Sequence, residues 1–360
     1  MTRVPRMRIV FVEEFSLMKR ITRTRTMGGI ETNTVNVIRN LRKRGHVVRV
    51  NEVFDDGGPV DVVASSTYGP YALLKVRSLK KKLGAAVVQH AHTTVEDLKG
   101  GGFVPGPLHS LLPAYVRTLY GAAHLLVTPS PYSRSRLRAL GLRKPIHVVS
   151  NGVDFSEFHP DAQKRKAFRA FLEREHGIPA DAAVVLNVGV TWPRKGVDRF
   201  VAAARRLPEY WFVWVGPVVK NPHVAAGRRL PNVRFVGYRE DACEAYCGAD
   251  AFFFPSYEEN QGIPLIEAAA CRVPVVASDL EAFDWLVDGT SARLGSGVDF
   301  FVEALREVVE REDVRKKLVD AAEGDARRLH DIEAIASRLE LLYHRATRLR
   351  DASLERFGRS

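Results

Sequence analysis

Short apolar runs alternate with amphipathic stretches along this sequence, and this alternation limits the folds that the chain can adopt. In the first half the pattern predicts strands at residues 8–12, 46–50, 60–65, 85–89, 124–128 and 147–150, and helices at 32–44, 71–83 and 107–121. In the second half it predicts strands at 183–188, 211–215, 233–236, 251–254 and 273–277, and helices at 196–206, 243–247, 263–270, 298–310, 313–328 and 331–350. Strands that alternate with helices favour parallel sheets joined by crossover helices.

We therefore predict an α/β fold with two doubly wound, Rossmann-like domains that face a cleft. The first domain covers residues 1–150, and the second covers residues 183–330. Residues 151–182 form a junction with a charged helix, and residues 331–360 form a final helical segment. Ligands of open parallel sheets bind beyond the carboxyl ends of the strands, so the functional residues should directly follow strands.

The charge of the chain is concentrated in its first half. Residues 1–150 hold 24 Lys/Arg against 9 Asp/Glu, a net charge of +15, whereas residues 151–360 have a net charge of −3. This asymmetry indicates an anionic partner for the first half: nucleic acid, an anionic lipid surface or a phosphorylated ligand. We recognise no nucleic-acid module, and the lysines at 80–82 have no interleaved aromatic residues, which argues against nucleic acid.

The sequence also gives an expectation for the cellular compartment. No apolar run reaches the ~18–20 residues that a bilayer span needs, and the first residues lack the apolar region of a signal peptide. Three cysteines in 360 residues are typical of a reducing compartment. We therefore expect a cytoplasmic protein.

Two of the cysteines stand at a spacing that a metal site can use. Cys243 and Cys247 lie one helical turn apart, but no His or third Cys stands at ligand spacing from them. We interpret them, together with Cys271, as small buried apolar side chains and predict no metal site.

Adjacent glycines follow the first predicted strand. Gly28 and Gly29 come after a loop that contains Lys19, Arg20, Arg23 and Arg25, and they open a helix. Glycines let backbone amides approach a ligand closely, and the start of a helix carries partial positive charge that suits a phosphate. The alternative is a simple tight turn.

Two cations follow the first strand of the second half. Arg194 and Lys195 stand between that strand and the next helix, where they would form a clamp for a diphosphate. The alternative is a pair of solvated loop residues.

The segment after the strand at 251–254 carries the strongest chemical signal. Glu259 and Glu267 flank a glycine turn at Gly262, the first in the loop and the second on the following helix. Carboxylates accept hydrogen bonds from neighbouring hydroxyls, and backbone amides at a helix start bind phosphate, so this segment suits a ligand with both groups. The amides of Asn260, Gly262 and Ile263 are the expected donors.

Two histidines follow the strand at 85–89. His90 and His92 point the same way if the strand continues, so His92 would face the cleft and contact a sugar hydroxyl or an acceptor. A metal would need a third ligand, which the neighbouring sequence lacks, and no D-x-D occurs in the chain. A hydrogen-bonded core histidine is the simpler interpretation for His90.

The helix at residues 71–83 is basic and amphipathic. It and the apolar stretch at residues 103–112 would touch an anionic membrane or a lipid acceptor. The candidate contacts are Lys75, Arg77, Lys80, Lys81, Lys82, Leu108, Leu111 and Leu112. The alternative is a crossover helix that packs Leu74, Leu79 and Leu83 on its sheet and leaves its lysines in water.

Taken together, these segments resemble the retaining GT-B glycosyltransferases of family four over nearly the whole chain. The matching segments are residues 28–31, 92, 128–130, 150–154, 194–196, 231–237 and 259–267. Residues 90–97, 193–198 and 255–264 look most like the branch that glucosylates diacylglycerol. The resemblance implies that the final helix crosses back to the first domain.

The resemblance also implies a role for each matching residue. Glu259 would hold hydroxyls of the donor sugar, Glu267 would hold the ribose, and Arg194 with Lys195 would neutralise the departing diphosphate. The remaining implied contacts are the backbone of Asn260, Gln261, Gly262 and Ile263 with sugar and phosphates, Gly237 with the base, Gly28 and Gly29 with the donor, and His92 with the transferring sugar.

In one position the chain departs from this family. Many relatives carry an Arg after the glycine that matches Gly189, whereas this chain has Val190. Either Arg194 substitutes for that Arg, or the phosphates are held differently. The family's same-face attack needs no protein base, and the missing D-x-D agrees with metal-independent transfer that uses no cofactor besides the nucleotide sugar.

Our hypothesis from the sequence is a retaining hexosyltransferase that moves a hexose, with UDP-glucose as the first choice of donor, to a membrane lipid. It would bind peripherally to the inner face of the cell membrane. The first alternative is the same chemistry on a saccharide or polyprenyl-linked acceptor in cell-surface polysaccharide synthesis, with GDP-mannose as a donor. The second is a sugar-binding GT-B module without catalysis.

Overall fold

The computed structural model describes residues 5–22, 28–100 and 104–357, which fall into two compact units. The N-terminal unit consists of Met1–Asn151 with Glu333–Ser360, and the C-terminal unit consists of Gly152–Ile332. Of the predicted junction, residues 151–182, all but the first residue are thus grouped with the C-terminal unit. Its helix packs on a neighbouring helix of that unit.

The N-terminal unit is built on a six-stranded parallel sheet in the order β2-β1-β3-β4-β5-β6. The strands are β1 (Arg8–Val12), β2 (Val47–Val50), β3 (Val62–Ser65), β4 (Ala86–His90), β5 (Leu125–Thr128) and β6 (Ile146–Val148). All six strands predicted for this half are present, because β-branched runs that are buried on both faces leave little room for another conformation.

In the described part of this unit, six helices connect or follow these strands. They are α1 (Phe15–Thr22), α2 (Gly29–Lys43), α3 (Pro70–Leu83), α4 (Val95–Gly100), α5 (Leu112–Gly121) and α6 (Pro131–Ala139). The single helix predicted at residues 107–121 is wrong, since the segment divides into a 3-10 helix, Gly106–Leu111, and α5. Pro113 lies in the first turn of α5, where its missing amide costs nothing, and so it marks a helix start.

The C-terminal unit repeats this architecture. Its parallel sheet has the order β12-β11-β10-β7-β8-β9. The strands are β7 (Val184–Val188), β8 (Trp211–Val215), β9 (Val233–Gly237), β10 (Ala251–Phe254), β11 (Val275–Ser278) and β12 (Arg293–Gly295). The sequence pattern missed β12, which is only three residues long and lies at the edge of the sheet.

Seven helices flank this second sheet. They are α7 (Ala162–His176), α8 (Val197–Arg206), α9 (Pro222–Gly227), α10 (Ala242–Gly248), α11 (Ile263–Ala270), α12 (Val298–Glu310) and α13 (Glu312–His330). The predicted fold class, two doubly wound α/β sheets, is confirmed.

The last helix, α14 (Ile332–Phe357), groups with the N-terminal unit from Glu333 onward. Its buried residues Ile335, Leu339, Leu342 and Tyr343 share a core with α2 and with one face of the N-terminal sheet. The opposite face of that sheet is covered by α3, α5 and α6. The helix farthest along the chain therefore completes the core around the first strand.

Strand order reverses once in each sheet. In the C-terminal sheet the chain runs outward from β7 through β8 to β9, and then returns to the other side of β7 with β10. The loops after β7 and β10 therefore separate at the carboxyl edge and leave a crevice, which is where open α/β sheets bind ligands.

In the described part of the chain, no helix combines the length and the apolar character that a bilayer crossing needs.

Candidate active site

The loops after β7 and β10 bring the strongest sequence candidates of the C-terminal unit together. Arg194 and Lys195 lie on a short 3-10 helix, Pro193–Lys195, that follows β7. Glu259 lies in the loop that follows β10, the neighbour of β7 in the sheet. These three side chains thus meet at the crevice of the sheet, although 64 positions separate Lys195 from Glu259.

Glu259 is the centre of this cluster. Lys195 Nζ donates to its Oε1 at 2.5 Å, Ser256 Oγ donates to the same oxygen at 2.9 Å, and Arg194 Nη1 lies 3.7 Å from its Oε2. The Glu259 residue is only 7% exposed. Burial by itself raises the pKa of Glu259, but Lys195 and Arg194 outweigh that effect and hold the pKa below its usual range. The carboxylate is therefore ionised at neutral pH.

A close backbone contact holds the two loops in this position. Gly196 has a φ of +72°, and a Cβ at this position would lie 2.1 Å from the carbonyl oxygen of Pro255. In addition, the Tyr257 amide donates to the Arg194 carbonyl at 2.7 Å. Glycine is required at 196 because only a residue without a Cβ permits both the left-handed backbone and this approach.

Glu267 has its partner outside the cluster around Glu259. It lies on the second turn of α11, and its Oε2 accepts a hydrogen bond of 2.6 Å from the hydroxyl of Tyr246 on α10. Burial raises the pKa of Glu267 to about 7, against a lowering effect of the Tyr246 hydrogen bond. Glu267 is thus a carboxyl group that changes its charge near neutral pH.

The remaining donor candidates of this unit lie at the same edge of the sheet. Gly262 has a φ of +75° and precedes the first residue of α11, Ile263, while Asn260 and Gln261 belong to the same loop. Gly237 ends β9 with a φ of +80°, and its carbonyl accepts from the Gly216 amide at 2.8 Å. The strand order therefore places Gly237, the candidate contact of the nucleotide base, and the loop around Gly262, the candidate contact of the phosphates, beyond the carboxyl ends of one sheet.

The N-terminal unit has its own group of polar residues after β4. His90 ends that strand, and its Nε2 lies 2.8 Å from the hydroxyl of Tyr343 on α14. The rings of His90 and His92 are stacked with their centroids 5.9 Å apart. Burial lowers the pKa of His92 to about 4, and burial together with the neighbouring His92 lowers that of His90 to about 3. Both imidazoles are therefore neutral at physiological pH.

Gly28 and Gly29 lie at the start of α2 in this same unit. Gly28 has a φ of +95°, and its carbonyl accepts from the Glu31 amide at 3.1 Å in the first turn. Lys19 pairs with Glu31. The side chains of Arg20, Arg23 and Arg25 lie outside the described part of the structure, so the predicted basic loop around the helix start is only partly described.

Several cations of the predicted membrane helix have structural partners instead. Arg77 Nη2 donates to the Thr118 carbonyl at 3.1 Å, and Lys80 Nζ donates to the Ala122 carbonyl at 2.8 Å, so both satisfy carbonyls at the end of α5. Lys75 Nζ donates to the Asn51 carbonyl at 2.7 Å. These three side chains stabilise the packing of α3, which the sequence alone does not indicate.

Of the leucines predicted to contact a membrane, one is buried and two are exposed. Leu112 is wrong as a surface residue: it is 6% exposed and belongs to the core between α5 and the sheet. Leu108 and Leu111 are 47% and 60% exposed. Leu74, which the alternative of a crossover helix places against the sheet, is 67% exposed. The exposed residues of α3 and of the 3-10 helix before α5 include Leu74, Lys81, Lys82, Leu108 and Leu111, and we call this set of residues the α3 face.

Two side chains that position the site residues were not predicted from the sequence. Ser256 donates a hydrogen bond to the same Glu259 oxygen as Lys195, and Tyr246 donates a hydrogen bond to Glu267. A serine three positions before a loop carboxylate is a local signal that could have identified Ser256. Tyr246 lies on another helix than Glu267 and gives no such signal.

The sequence spacing predicted no third cysteine beside Cys243 and Cys247, but the structure places Cys271 there. Cys271 Sγ lies 3.7 Å from Cys243 Sγ, and all three residues are buried. The prediction of burial is confirmed. The spacing in sequence failed because Cys271 comes from the end of α11, 28 positions farther on.

Two family models match this chain in adjacent parts. The model described as "Glycosyltransferase Family 4" matches residues 49–157, and the model described as "Glycosyl transferases group 1" matches residues 182–296. Together they cover most of the first sheet and the site segments after β7 and β10.

Two characterised relatives are similar in sequence. A processive diacylglycerol alpha-glucosyltransferase of Acholeplasma laidlawii is 32% identical over 221 residues, which are 59% of this chain and 65% of that enzyme. An N,N'-diacetylbacillosaminyl-diphospho-undecaprenol alpha-1,3-N-acetylgalactosaminyltransferase of Campylobacter jejuni is 28% identical over 256 residues, which are 68% of this chain and 66% of that enzyme. The aligned segments span slightly less than two thirds of either relative.

One solved structure supports the fold. HepE from Anabaena, in complex with UDP and glucose, matches with a TM-score of 0.74 over 92% of this chain and 98% of that chain. The two sequences are 18% identical.

Proposed function

We propose that this chain, which belongs to the group 1 glycosyltransferases of family four, transfers a hexose from a nucleotide sugar to a membrane lipid. The observation that carries the proposal is the cluster of Glu259, Lys195 and Arg194 at the crevice of the C-terminal sheet. The cluster combines a buried carboxylate, which can accept hydrogen bonds from sugar hydroxyls, with two cations, which can bind a diphosphate.

The charges of this cluster suit the departure of a nucleoside diphosphate. As the bond between the anomeric carbon and the diphosphate breaks, negative charge grows on the phosphate oxygens. Cations already positioned there, Arg194 and Lys195, stabilise that charge without reorganisation during the reaction. Lys195 now neutralises Glu259, so a bound diphosphate would draw the ammonium toward itself and release Glu259 to accept from sugar hydroxyls.

The other proposed donor contacts are those that the resemblance to the family implies. Glu267 would accept hydrogen bonds from the ribose, the amides around Gly262 would bind the sugar and the phosphates, and Gly237 would contact the base. His92 would offer a neutral imidazole to the transferring sugar, since burial keeps it uncharged. Attack from the same face, with the leaving phosphate taking the acceptor's proton, would retain the configuration without a protein base or a metal at the reacting atoms.

A lipid acceptor is supported by the relative that acts on diacylglycerol and by the α3 face. That set combines exposed leucines and exposed lysines on a unit of high positive charge. Leucines suit the apolar boundary of a bilayer and lysines suit its anionic headgroups. A polyprenyl-linked acceptor is the second candidate, because the Campylobacter relative acts on an undecaprenol diphosphate. UDP-glucose is our first choice of donor.

The decisive experiment measures release of UDP or GDP from a panel of nucleotide sugars. The assay is run with diacylglycerol vesicles, with a polyprenyl-diphosphate saccharide, and with soluble saccharides. We expect turnover that depends on both UDP-glucose and diacylglycerol. Turnover with the polyprenyl-linked acceptor alone would select the second candidate, and absence of turnover with every pair would reject the transferase.

Site variants connect that turnover to the proposed cluster. Glu259→Gln and Lys195→Met should each lose about 10²-fold of kcat, the size of one preorganised transition-state contact. Glu303→Gln is the matched control, since Glu303 is an exposed carboxylate on α12 of the same unit. Thermal unfolding of each variant separates a catalytic loss from a folding loss. Full activity of both site variants would contradict the assignment.

A further inference from the structure

The three cysteines of the C-terminal unit converge although they come from two elements. Cys243 and Cys247 face the same side of α10, and Cys271 directly follows the last residue of α11. Cys243 Sγ lies 3.8 Å from Cys247 Sγ and 3.7 Å from Cys271 Sγ, and all three sulfurs lie within 4.8 Å of one another. The three residues are at most 8% exposed.

These separations fit the ligands of one small soft cation. In a tetrahedral site with metal–sulfur bonds of ~2.3 Å, two coordinating sulfurs lie ~3.8 Å apart. The two separations that involve Cys243 have this length. A cation at the centre of the triangle would therefore reach all three sulfurs with only small movements of the side chains.

A fourth polar atom faces the same point. The His159 carbonyl oxygen lies 3.6 Å from Cys243 Sγ and 3.3 Å from Cys247 Sγ. An oxygen ligand at ~2.1 Å in a tetrahedral site would stand ~3.6 Å from each sulfur. This carbonyl thus lies close to two of the three sulfurs and is the candidate for the fourth ligand.

The surroundings of the cluster also include one cation, close to Cys243. The Lys164 ammonium pairs with Asp241 at 2.9 Å and interacts with Cys243. A positive charge beside a cysteine stabilises its deprotonated form, which is the form that binds a metal.

We propose that Cys243, Cys247 and Cys271, with the His159 carbonyl, bind one thiophilic d¹⁰ cation, for which Zn²⁺ is the probe. Binding releases the thiol protons to solvent and leaves the oxidation states of sulfur and metal unchanged. The ion would link α10, which carries Tyr246, to the end of α11, one turn beyond Glu267. Its role is structural, and the proposal is independent of the transferase activity.

The test uses the full chain, reduced and stripped of metal by a chelator. Competition with a chromophoric chelator should give one tightly bound Zn²⁺ per chain, and Co²⁺ in its place should show thiolate-to-cobalt charge-transfer absorption. Cys271→Ser should weaken Zn²⁺ binding by about tenfold or more, since loss of even an outer partner of a metal ligand has effects of that size. Failure to bind Zn²⁺, or Co²⁺ binding without that absorption, overturns the proposal.

Two histidine variants control for other modes of binding. His223→Ala removes an exposed histidine of the same unit and should leave Zn²⁺ affinity unchanged. His159→Ala should also retain binding, because the proposed ligand is the carbonyl rather than the ring. A loss of affinity in either variant contradicts the assigned ligand set.

A measurement on the wild type covers the case in which the cysteine variant does not fold. Zn²⁺ should protect all three thiols from alkylation under mildly denaturing conditions, whereas Mg²⁺, which prefers oxygen ligands, should not. Equal alkylation with the two cations would overturn the site.

Discussion

Glu259 and Glu267 are both acidic residues near the start of α11, yet their surroundings give them opposite behaviour. Glu259 is flanked by Lys195 and Arg194, which keep it ionised despite its burial. Glu267 has a tyrosine hydroxyl as its partner, and burial raises its pKa to about 7. The spacing of the two residues in sequence is informative about the site, but only the contacts separate a permanent anion from a group that titrates.

The pH dependence of donor binding follows from Glu267. A raised pKa means that the carboxyl group is protonated below about pH 7 and ionised above it. Only the ionised form accepts from two ribose hydroxyls, so the KM for the nucleotide sugar should rise as pH falls, by about tenfold one pH unit below the pKa. Steady-state kinetics between pH 6 and 8 measure this rise.

Two variants identify the titrating group. Glu267→Gln should show weak donor binding that no longer varies with pH in this range. Tyr246→Phe should move the midpoint to higher pH, because the Tyr246 hydrogen bond lowers the pKa of Glu267, while Cys243 on the same helix raises it. A KM that is constant from pH 6 to 8 in the wild type would contradict Glu267 as the ribose ligand.

The helix α14 shows how an element far along the chain completes an earlier core. Its apolar residues recur at helical spacing, which predicts a helix with one buried stripe. The structure adds the partner: the stripe packs with α2 and the N-terminal sheet, and Tyr343 meets His90 at the end of β4. Glu340 reinforces this packing through a 2.9 Å contact with His46.

A pair of leucines on α14 tests this packing. Leu339 is 4% exposed, whereas Leu341 is 61% exposed on the same helix. Leu339→Ala should lower the free energy of unfolding by about 2–5 kcal/mol, because it removes buried methyl groups and leaves a cavity. Leu341→Ala, the matched control, should change it by less than about 0.5 kcal/mol. Urea unfolding followed by circular dichroism measures both, and equal effects would show that α14 does not pack as described.

Sequence pattern predicted most elements and missed those whose cause is not local. The bounds of strands such as β8 and β10 were predicted to the residue. A short continuous apolar run is typical of a strand that is buried on both faces of a parallel sheet. The short helices α1, α4, α6 and α9 and the edge strand β12 were missed. They are too short to show a period, and packing against neighbours decides them.

The difference in net charge is larger between the two structural units than between the two halves of the sequence, because the final helix belongs to the N-terminal unit. The N-terminal unit holds 30 Lys/Arg against 13 Asp/Glu, a formal net charge of +17, and the C-terminal unit has −5. A unit of this charge attracts anionic surfaces over distances limited by salt screening. The α3 face contributes exposed leucines and lysines from α3 and from the 3-10 helix that precedes α5.

Vesicle binding tests the α3 face. Each lysine near an anionic bilayer contributes about 1 kcal/mol, so Lys81→Gln with Lys82→Gln should weaken binding about 30-fold. The probe is vesicles of phosphatidylglycerol mixed with phosphatidylcholine, in a sedimentation assay. Neither change should alter affinity for the nucleotide sugar, since both lysines lie in the other unit from Glu259.

The control removes the same charge elsewhere. Lys166→Gln with Lys316→Gln neutralises two exposed lysines of the C-terminal unit and should leave vesicle binding unchanged. Leu111→Ser should weaken binding even at low salt, because its contribution is apolar. An equal loss in both lysine pairs would indicate attraction by overall charge rather than docking through the α3 face.

The sequence by itself determined the alternation of strands and helices, the positions of the site residues after strands, and the excess of positive charge in the first half. These features depend on neighbouring residues, whose periodicity and composition are visible along the chain. Only the tertiary structure decided that Lys75, Arg77 and Lys80 satisfy carbonyls, that Leu112 is buried, and that Cys271 joins Cys243. Each of these depends on contacts between elements far apart in the sequence, which no local pattern encodes.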